Sequence, residues 1–195
     1  RKAAKVINDA KKLVVYSGGG IILADASSLL TTLVERLKAP ITNTLMGLGG
    51  ISGTHDNFIG MLGMHGSVEA NKAMANADVI LALGVRFDDR VTNNVEKFCP
   101  NATIIHVDID PTSISKTIHA HIPVVGLVDI VMQQLLDELN AIDYSPNEES
   151  LSDWWQQINL WRDTKSVGYQ QGKNAKIKHQ RVVETMYKIT KGEAH

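Results

Sequence analysis

Short runs of residues that are apolar throughout, instead of alternating with polar residues, constrain this chain more than any other feature. Such runs occupy residues 13–16 and 79–83, and residues 103–107 are apolar apart from Thr103 and His106. Strands of this kind are buried on both faces, as in parallel sheets that carry helices on either side. Helical patterns lie between the runs, so the strands are joined by right-handed crossovers. The sequence therefore predicts an α/β fold, a Rossmann-like parallel sheet flanked by helices.

The remaining elements follow from the spacing of apolar residues and from the residues that interrupt it. We predict strands at residues 13–16, 41–43, 79–83, 103–108 and 124–125, and helices at 25–37, 67–76, 129–139 and 180–189. Leucines and a valine recur every three or four residues in the helix at 25–37, which gives it one core-facing stripe. In the helix at 129–139, Ile130 and Val131 are expected to share a face with the leucines. Residues 47–66 are rich in glycine, and we expect a long loop there.

A polar stretch that contains a proline, residues 142–150, marks a predicted domain edge. Beyond it, Trp154, Trp155 and Trp161 lie on one predicted helix, and a second helix follows. Two helices without a sheet cannot form a core of their own, so we expect the tryptophan helix to be exposed. We interpret residues 1–141 as a cofactor-binding α/β domain and residues 142–195 as a helical linker toward a further domain. The chain lacks an initiator methionine, and we expect an excised or processed chain.

Composition excludes several classes of protein. With 20 basic and 21 acidic residues the formal net charge is −1, which disfavours binding to nucleic acid. The longest apolar runs are too short to cross a bilayer, so we expect no membrane association. The one cysteine, Cys99, excludes an internal disulfide and fits a reducing compartment, which predicts a cytoplasmic location.

Glycine, acidic and basic residues follow five of the predicted strands at the point where each strand ends. They lie at residues 17–20, 44–47, 84–90, 108–111 and at Gly126. In an open parallel sheet these ends share one rim, and ligands bind beyond it. Any single segment is explained by a plain turn, but five together indicate a binding rim.

The side chains on this rim suit a dinucleotide. Arg86 and Arg90 can pair with phosphates through their forked guanidinium groups, although a surface salt-bridge cluster with nearby carboxylates explains them too. Asp108 and Asp110 can accept hydrogen bonds from ribose or ribitol hydroxyls. The glycines at residues 18–20 do not follow the GxGxxG spacing, so a plain strand-to-helix turn explains them equally well.

Residues 60–66 combine three glycines with two methionines and a histidine ahead of a helix. Methionine is flexible and polarisable and packs well against flat rings. A lone histidine such as His65 is more commonly a structural hydrogen-bonding residue than a catalyst. No nucleophile has a convincing base, and no group of residues has metal-ligand spacing, so we predict no metal site in this chain.

Several motifs, taken together, resemble a known family. They lie at residues 62–71, 76–80, 84–92, 106–116 and 122–126. This set resembles the central domain of the catalytic large subunit of acetolactate synthase (acetohydroxyacid synthase), in the thiamine-diphosphate enzyme family. The similarity covers most of residues 1–140. The motif at residues 86–90 points to acetolactate synthase more than to related thiamine enzymes.

The resemblance implies an enzyme that condenses two pyruvates, or pyruvate with 2-oxobutyrate, on thiamine diphosphate and Mg²⁺ in branched-chain amino-acid synthesis. It implies that the central domain binds FAD, which need not change redox state in the net reaction. The FAD contacts implied by the resemblance are Gly18, Gly19, Gly20, Thr44, Leu45, Met46, Leu62, Gly63, Met64, His65, Gly84, Val85, Arg86, Asp88, Arg90, Val91, Asp108, Ile109, Asp110 and Gly126. The resemblance also makes Arg90 a catalytic residue, which holds the second 2-oxo acid by its carboxylate.

The same resemblance places the thiamine-activating glutamate and the Mg²⁺ ligands in other domains, so we expect this chain alone to be inactive. It implies as partners the remaining domains of the subunit, a second copy in a homodimer or larger homo-oligomer, and a small regulatory subunit. Leu127 replaces an acid that is usual in the family, which puts one FAD contact in doubt. Two alternatives stay open: a structural middle domain that binds no cofactor or another nucleotide, and an NAD-linked oxidoreductase, which the missing GxGxxG spacing disfavours.

Overall fold

The computed structural model describes residues 1–164, 168–173 and 175–191. The chain divides into two compact units, Arg1–Thr164 and Lys165–His195. The first unit contains a six-stranded sheet with helices on both faces, which confirms the predicted α/β fold. In the second unit the described residues form one helix, α8 (His179–Thr190), close to the bounds expected from the sequence.

All strand pairs of the sheet are parallel, and the strand order is β3-β2-β1-β4-β5-β6. The strands are β1 (Leu13–Ser17), β2 (Ile41–Asn43), β3 (Phe58–Met61), β4 (Val79–Leu83), β5 (Thr103–Asp108) and β6 (Ile122–Val125). Every residue of β1 and β4 is buried, as their unbroken apolar runs predict. Strands β2 and β3 extend the sheet on one side of β1, and β4, β5 and β6 extend it on the other side. The strand order therefore switches between β1 and β4, which is the position where open α/β sheets bind ligands.

Helices cover both faces of this sheet. They are α1 (Lys2–Asn8), α2 (Gly19–Leu23), α3 (Ser27–Leu37), α4 (Val68–Asn76), α5 (Asp89–Thr92), α6 (Val128–Ala141) and α7 (Glu148–Arg162). Alternate residues of β1 enter different cores: Leu13 and Val15 pack with residues of α1, α3 and α6. Val14 and Tyr16 pack with residues of α4 and α7. The result is a three-layer α/β/α sandwich.

Two local expectations were wrong. The helix predicted at 25–37 is observed as α3, which begins two residues later; the short helix α2 before it was not predicted, and Asp25 (φ 50°) lies in the turn between the two. The loop expected at 47–66 contains β3, which pairs with β2 in parallel. On α6, Ile130 is exposed and Met132 is buried in its place, because Met132 lies four residues from both Val128 and Leu136 on the buried face and Ile130 lies on the opposite face.

The tryptophan helix was also expected to be exposed, and this is wrong. Helix α7 packs on α4, and the side chain of Trp154 is only 2% exposed. Asn147 begins the helix, since its side-chain oxygen accepts a hydrogen bond from the Ser150 amide (2.9 Å). The compact unit therefore continues to Thr164. The division into a cofactor domain at 1–141 and a linker at 142–195 stays a prediction.

Candidate functional site

The segments that follow the six strands lie along one edge of the sheet, because all its strands run in the same direction. We call this edge the carboxyl rim; its segments are residues 18–23, 44–50, 62–67, 84–92, 108–112 and 126–129. Adjacent strands are about 4.8 Å apart, so six strands give a rim about 24 Å long. The predicted binding rim had five strand ends, and β3 adds a sixth, which carries residues 62–65.

The centre of the rim is closely packed backbone. The amide of Gly18 donates to the Leu83 carbonyl (3.0 Å), and the amide of Gly20 donates to the Gly84 carbonyl (3.2 Å). A Cβ added at Gly20 would come within 2.7 Å of the Gly84 Cα, and one at Gly18 would collide with the Gly84 carbonyl. Glycine is therefore required here by the approach of two backbones. Two amides that could have served a phosphate are already bonded, and contact of Gly18, Gly19 and Gly20 with a cofactor stays a prediction.

Beside the centre, the end of β2 is held by a buried polar network. The Ser17 hydroxyl donates to the Asn43 side-chain oxygen (2.6 Å), and the Asn43 side-chain amide donates to the Gly47 carbonyl (2.9 Å). Thr44 accepts a hydrogen bond from the Gly47 amide and begins a short 3₁₀ turn. Because this turn is fixed from below, it presents the next two side chains to solvent. Leu45 is 69% exposed and Met46 is 74% exposed.

The end of β3 brings the predicted residues at 62–65 against the predicted residues at 84–91. The Met64 amide donates to the Arg90 carbonyl (3.2 Å). Gly63 has φ +109°, and a Cβ added there would lie 2.9 Å from the Arg90 carbonyl oxygen and 3.4 Å from the Val91 side chain. Leu62 is buried in the core, whereas Met64 and His65 are exposed. Two segments that are far apart in the chain thus form one surface.

The segment after β4 directs its charged side chains outward. Phe87 has φ 49° and is buried, with its ring 5.7 Å from Tyr16 and 5.0 Å from His106 between centroids. The side chains on either side of Phe87, Arg86 and Asp88, are exposed. The predicted site residues Gly84 and Val85 lie beneath them, and the φ of Gly84 is +60°.

The salt-bridge explanation for this segment is not observed. Among the described residues, neither Arg86 nor Arg90 forms an ion pair with a carboxylate. Asp88 instead begins helix α5, where its side chain accepts a hydrogen bond from the Arg90 amide (3.2 Å). The pKa of Asp88 is lowered by its hydrogen bond with the Asp89 side chain, then by that amide and by the Arg86 and Arg90 charges. Both guanidinium groups are therefore available to an anion.

The aspartates after β5 are already engaged within their own turn. Asp108 accepts a hydrogen bond from the Asp110 amide (2.8 Å). The Asp110 carboxylate accepts from both the hydroxyl and the amide of Thr112 and from Ser113, and these bonds lower its pKa. Ile109 between them is exposed. A hydroxyl of a ligand would have to share or replace these internal bonds.

The outer strand β6 completes the rim. The Gly126 amide donates to the Asp108 carbonyl (3.0 Å), which joins the ends of β5 and β6. Leu127, at the position where the resemblance expects an acid, is exposed. Asp129 lies two residues after Leu127. One of its carboxylate oxygens is buried without a hydrogen-bond partner among the described residues.

Three polar residues under the rim were missed by sequence reasoning. The hydroxyl of Tyr16 and Nδ1 of His106 are buried without a partner among the residues that the structure describes. Burial raises the pKa of Tyr16 and lowers the pKa of His106, whose Nε2 lies 2.8 Å from the Val85 carbonyl. A tyrosine and a histidine inside otherwise aliphatic strands were the available signals. The third, Asn71, bonds to the loop at Gly63.

Within the described ranges, no group of three or more His, Cys, Asp or Glu side chains is arranged to hold a metal ion. In the same ranges, no helix combines the length and the apolar character that a membrane span requires.

Comparison with known proteins places this fold in context. The family model described as "Thiamine pyrophosphate enzyme, central domain" matches residues 1–135. The acetolactate synthase isozyme 3 large subunit of Escherichia coli is 50% identical over 195 residues, which are all of this chain and 34% of that protein. The acetolactate synthase large subunit of Buchnera aphidicola from Schizaphis graminum is 48% identical with the same coverage.

A more distant relative is the acetolactate synthase large subunit of Mycobacterium tuberculosis, which is 39% identical over 194 residues and is covered to 31%. This chain thus spans about a third of the length of the curated relatives it matches.

Proposed function

Because the chain belongs to the thiamine pyrophosphate enzyme central-domain family, we propose that it is the FAD-binding central part of an acetolactate synthase large subunit. The parent protein would condense two pyruvates, or pyruvate with 2-oxobutyrate. The 50% identity to an acetolactate synthase large subunit over the whole chain supports the choice of this enzyme within the family.

One observation carries the proposal for FAD: the carboxyl rim combines unpaired positive charge with exposed apolar side chains. Arg86 and Arg90 have no carboxylate partner in the described part of the chain. Exposed apolar side chains on the same rim are Ile22, Leu23, Leu45, Met46, Leu48, Met64, Ile109 and Leu127. A dinucleotide with two flat ring systems and a pyrophosphate needs both kinds of group. The donor set of the rim therefore fits FAD.

Each part of the rim would hold a different part of the cofactor. Arg86 would pair with the pyrophosphate, because a guanidinium fork binds such oxygens through paired bonds. Met46 and Met64 would pack against a ring face. The carboxylate of Asp108 would accept a hydrogen bond from a sugar or ribitol hydroxyl. Bound FAD would supply a structural element of the active site, since the family resemblance assigns no net redox change to it.

For the parent enzyme we propose that Arg90 is catalytic. Its guanidinium is exposed and unpaired, and its backbone is fixed by the cap at Asp88 and by the bond from Met64. Such a group can hold the carboxylate of an incoming 2-oxo acid. Thiamine diphosphate and Mg²⁺ would be bound by other domains of a cytoplasmic homo-oligomer that also carries a small regulatory subunit. The 195 residues alone are then expected to form no acetolactate, which an assay with pyruvate checks.

A visible absorbance spectrum tests the FAD proposal. The purified chain is mixed with FAD, freed of unbound cofactor on a desalting column and scanned, together with an unmixed sample. Flavin bands near one equivalent per chain are the expected result. A chain with a folded circular dichroism spectrum and no retained flavin would contradict binding by this domain alone, and would favour a structural middle domain. NAD offered in the same way serves as the control for nucleotides in general.

A further inference from the structure

Asn71 on helix α4 makes an unusual set of hydrogen bonds with the loop after β3. Its side-chain oxygen accepts from the Gly63 amide (3.3 Å), and its side-chain NH₂ donates to the Gly63 carbonyl (3.0 Å). The same NH₂ donates to the Ser67 carbonyl (2.9 Å) one turn earlier in the chain. Asn71 thus pairs with both polar groups of one residue, as a neighbouring strand would, and no side chain without both a donor and an acceptor can do this.

Gly63 is the point where the loop needs to be held. It has φ +109°, and the space beside it is closed by the Arg90 carbonyl. The next amide, that of Met64, donates to the same Arg90 carbonyl. A rotation of the Gly63 peptide would therefore break the contact between the β3 loop and the segment that carries Arg86 and Arg90.

The loop leaves one backbone donor unused. The amides of Leu62, Gly63, Met64, Gly66 and Ser67 all donate to protein acceptors. The amide of His65 has no acceptor among the described residues, and the side chains of Met64 and His65 are exposed beside it. The loop therefore presents an unpaired N–H group and a methionine side chain on the rim in one fixed arrangement.

We propose that Asn71 is a positioning residue for the cofactor site: it fixes the Gly63 peptide so that Met64 and His65 face the bound dinucleotide. The inference rests on the proposed function, since it assumes that FAD is the ligand of this rim. Asn71 itself touches no part of the ligand; it acts through the loop. Helix α4 is a firm support for this role, because Ser67 caps it and α7 packs against it.

A matched control lies on the same helix. The side chain of Asn76 donates to the Lys72 carbonyl (2.8 Å), the same bond to a residue four positions earlier that Asn71 makes with Ser67. Among the described residues, however, the Asn76 side chain has no hydrogen bond to the loop. A purely helical role of these side chains would therefore make Asn71→Ala and Asn76→Ala behave alike.

The experiment is an FAD titration by flavin fluorescence on the full chain and on Asn71→Ala, Asn71→Asp and Asn76→Ala. Amide hydrogen exchange of residues 62–66 is measured in the absence of cofactor.

We expect Asn71→Ala to raise the Kd for FAD about tenfold or more, because the Gly63 amide loses its acceptor. Asn71→Asp keeps that acceptor and should recover part of the affinity. Asn76→Ala should stay within about twofold of the native Kd. Exchange at residues 62–66 should accelerate in Asn71→Ala and remain native in Asn76→Ala.

Native affinity and native exchange in Asn71→Ala would overturn the inference. Exchange that accelerates equally throughout the chain would overturn it too, since Asn71 would then support the fold rather than the loop. A native chain that binds no FAD would instead contradict the proposal that this domain binds FAD by itself, and this inference would fall with it. The titration of the native chain distinguishes that case from the others.

Discussion

The two ends of the parallel sheet differ in how their polar groups are satisfied. At the end that precedes the strands, which we call the amino rim, three side chains of α7 donate to backbone carbonyls. Trp154 bonds to Leu13 (3.2 Å), Trp155 to Lys38 (3.0 Å) and Arg162 to Phe58 (2.6 Å). These carbonyls lie at or shortly before the starts of β1, β2 and β3. One helix thus covers three neighbouring strands.

The carboxyl rim shows the opposite arrangement. Its backbone is closely packed at the glycines, but its long side chains extend into solvent, and two arginines there have no ion-pair partner in the described residues. The side chains of Asn43 and Asn71, together with close glycine packing, hold the carboxyl rim from below, and its exposed side chains remain available to a ligand.

The largest expected effect is at the amino rim. Trp154→Ala removes a buried aromatic side chain and should lower the free energy of unfolding by about 3–5 kcal/mol. Urea denaturation followed by circular dichroism measures it. Trp155→Phe is the control, because it removes mainly the indole N–H bond to Lys38 and should cost about 1 kcal/mol. Equal effects of the two substitutions would show that α7 does not fix this end of the sheet.

A second substitution tests whether the carboxyl rim is rigid in its backbone. Gly18→Ala places a Cβ against the Gly84 carbonyl and within 2.8 Å of the Val85 side chain, so the free energy of unfolding should fall by about 1–3 kcal/mol. At Gly53 an added Cβ meets nothing within 4 Å, and Gly53→Ala serves as the control. If Gly18→Ala had the same urea midpoint as the native chain, the backbone of the carboxyl rim would have room for the added Cβ and would not be closely packed.

The third substitution separates binding from stability. Arg86→Ala should raise the Kd for FAD about tenfold or more, because a charged contact with phosphate is lost. The free energy of unfolding should change by less than about 0.5 kcal/mol, since Arg86 is exposed and forms no ion pair within the described residues. Lys11→Ala removes the same charge at the amino rim and should change neither quantity. An Arg86→Ala variant that lost stability without losing affinity would contradict the assignment of the rim to a ligand.

The smallest expected effect is the pH dependence that comes from His106 beneath the carboxyl rim. Burial lowers its pKa, so below the ordinary value of 6.5 the unfolded chain takes up a proton that the folded chain resists. Stability should therefore decrease between about pH 7.5 and about pH 5.5, as the unfolded chain becomes protonated at this position. Urea denaturation at both pH values measures the difference, and His106→Gln should reduce it. If the difference in stability between the two pH values were unchanged in His106→Gln, it would come from other titratable groups.

Much of the fold could be predicted from sequence because its strands are buried on both faces. Continuous apolar runs identified β1 and β4, and a mostly apolar run identified β5, with nearly their observed bounds. Strand β3 has four residues, one of them a glycine at φ +92°, and lies within a glycine-rich stretch, so no local pattern marks it. The burial of Trp154 depends on α4, which lies about eighty residues earlier in the chain.

The candidate site divides in the same way. Parallel strands predicted that the segments after the strands would meet at one edge, and they do. The state of each polar group could not be predicted, because it depends on distances between backbones. The bonds of Gly18 and Gly20 to the end of β4, and the closed turn around Asp110, are of this kind. Asn71 was missed for the same reason, since its partner Gly63 adopts a conformation that only the folded loop defines.

The hydrogen bonds from α7 also have a consequence for the order in which the chain is synthesised. They connect residues separated by 141, 117 and 104 positions in the chain. When β1, β2 and β3 leave the ribosome, the helix that covers their starts has not been translated. The amino rim therefore remains open to solvent and to chaperones until α7 emerges. Contacts over such separations form late and slow the final step of folding.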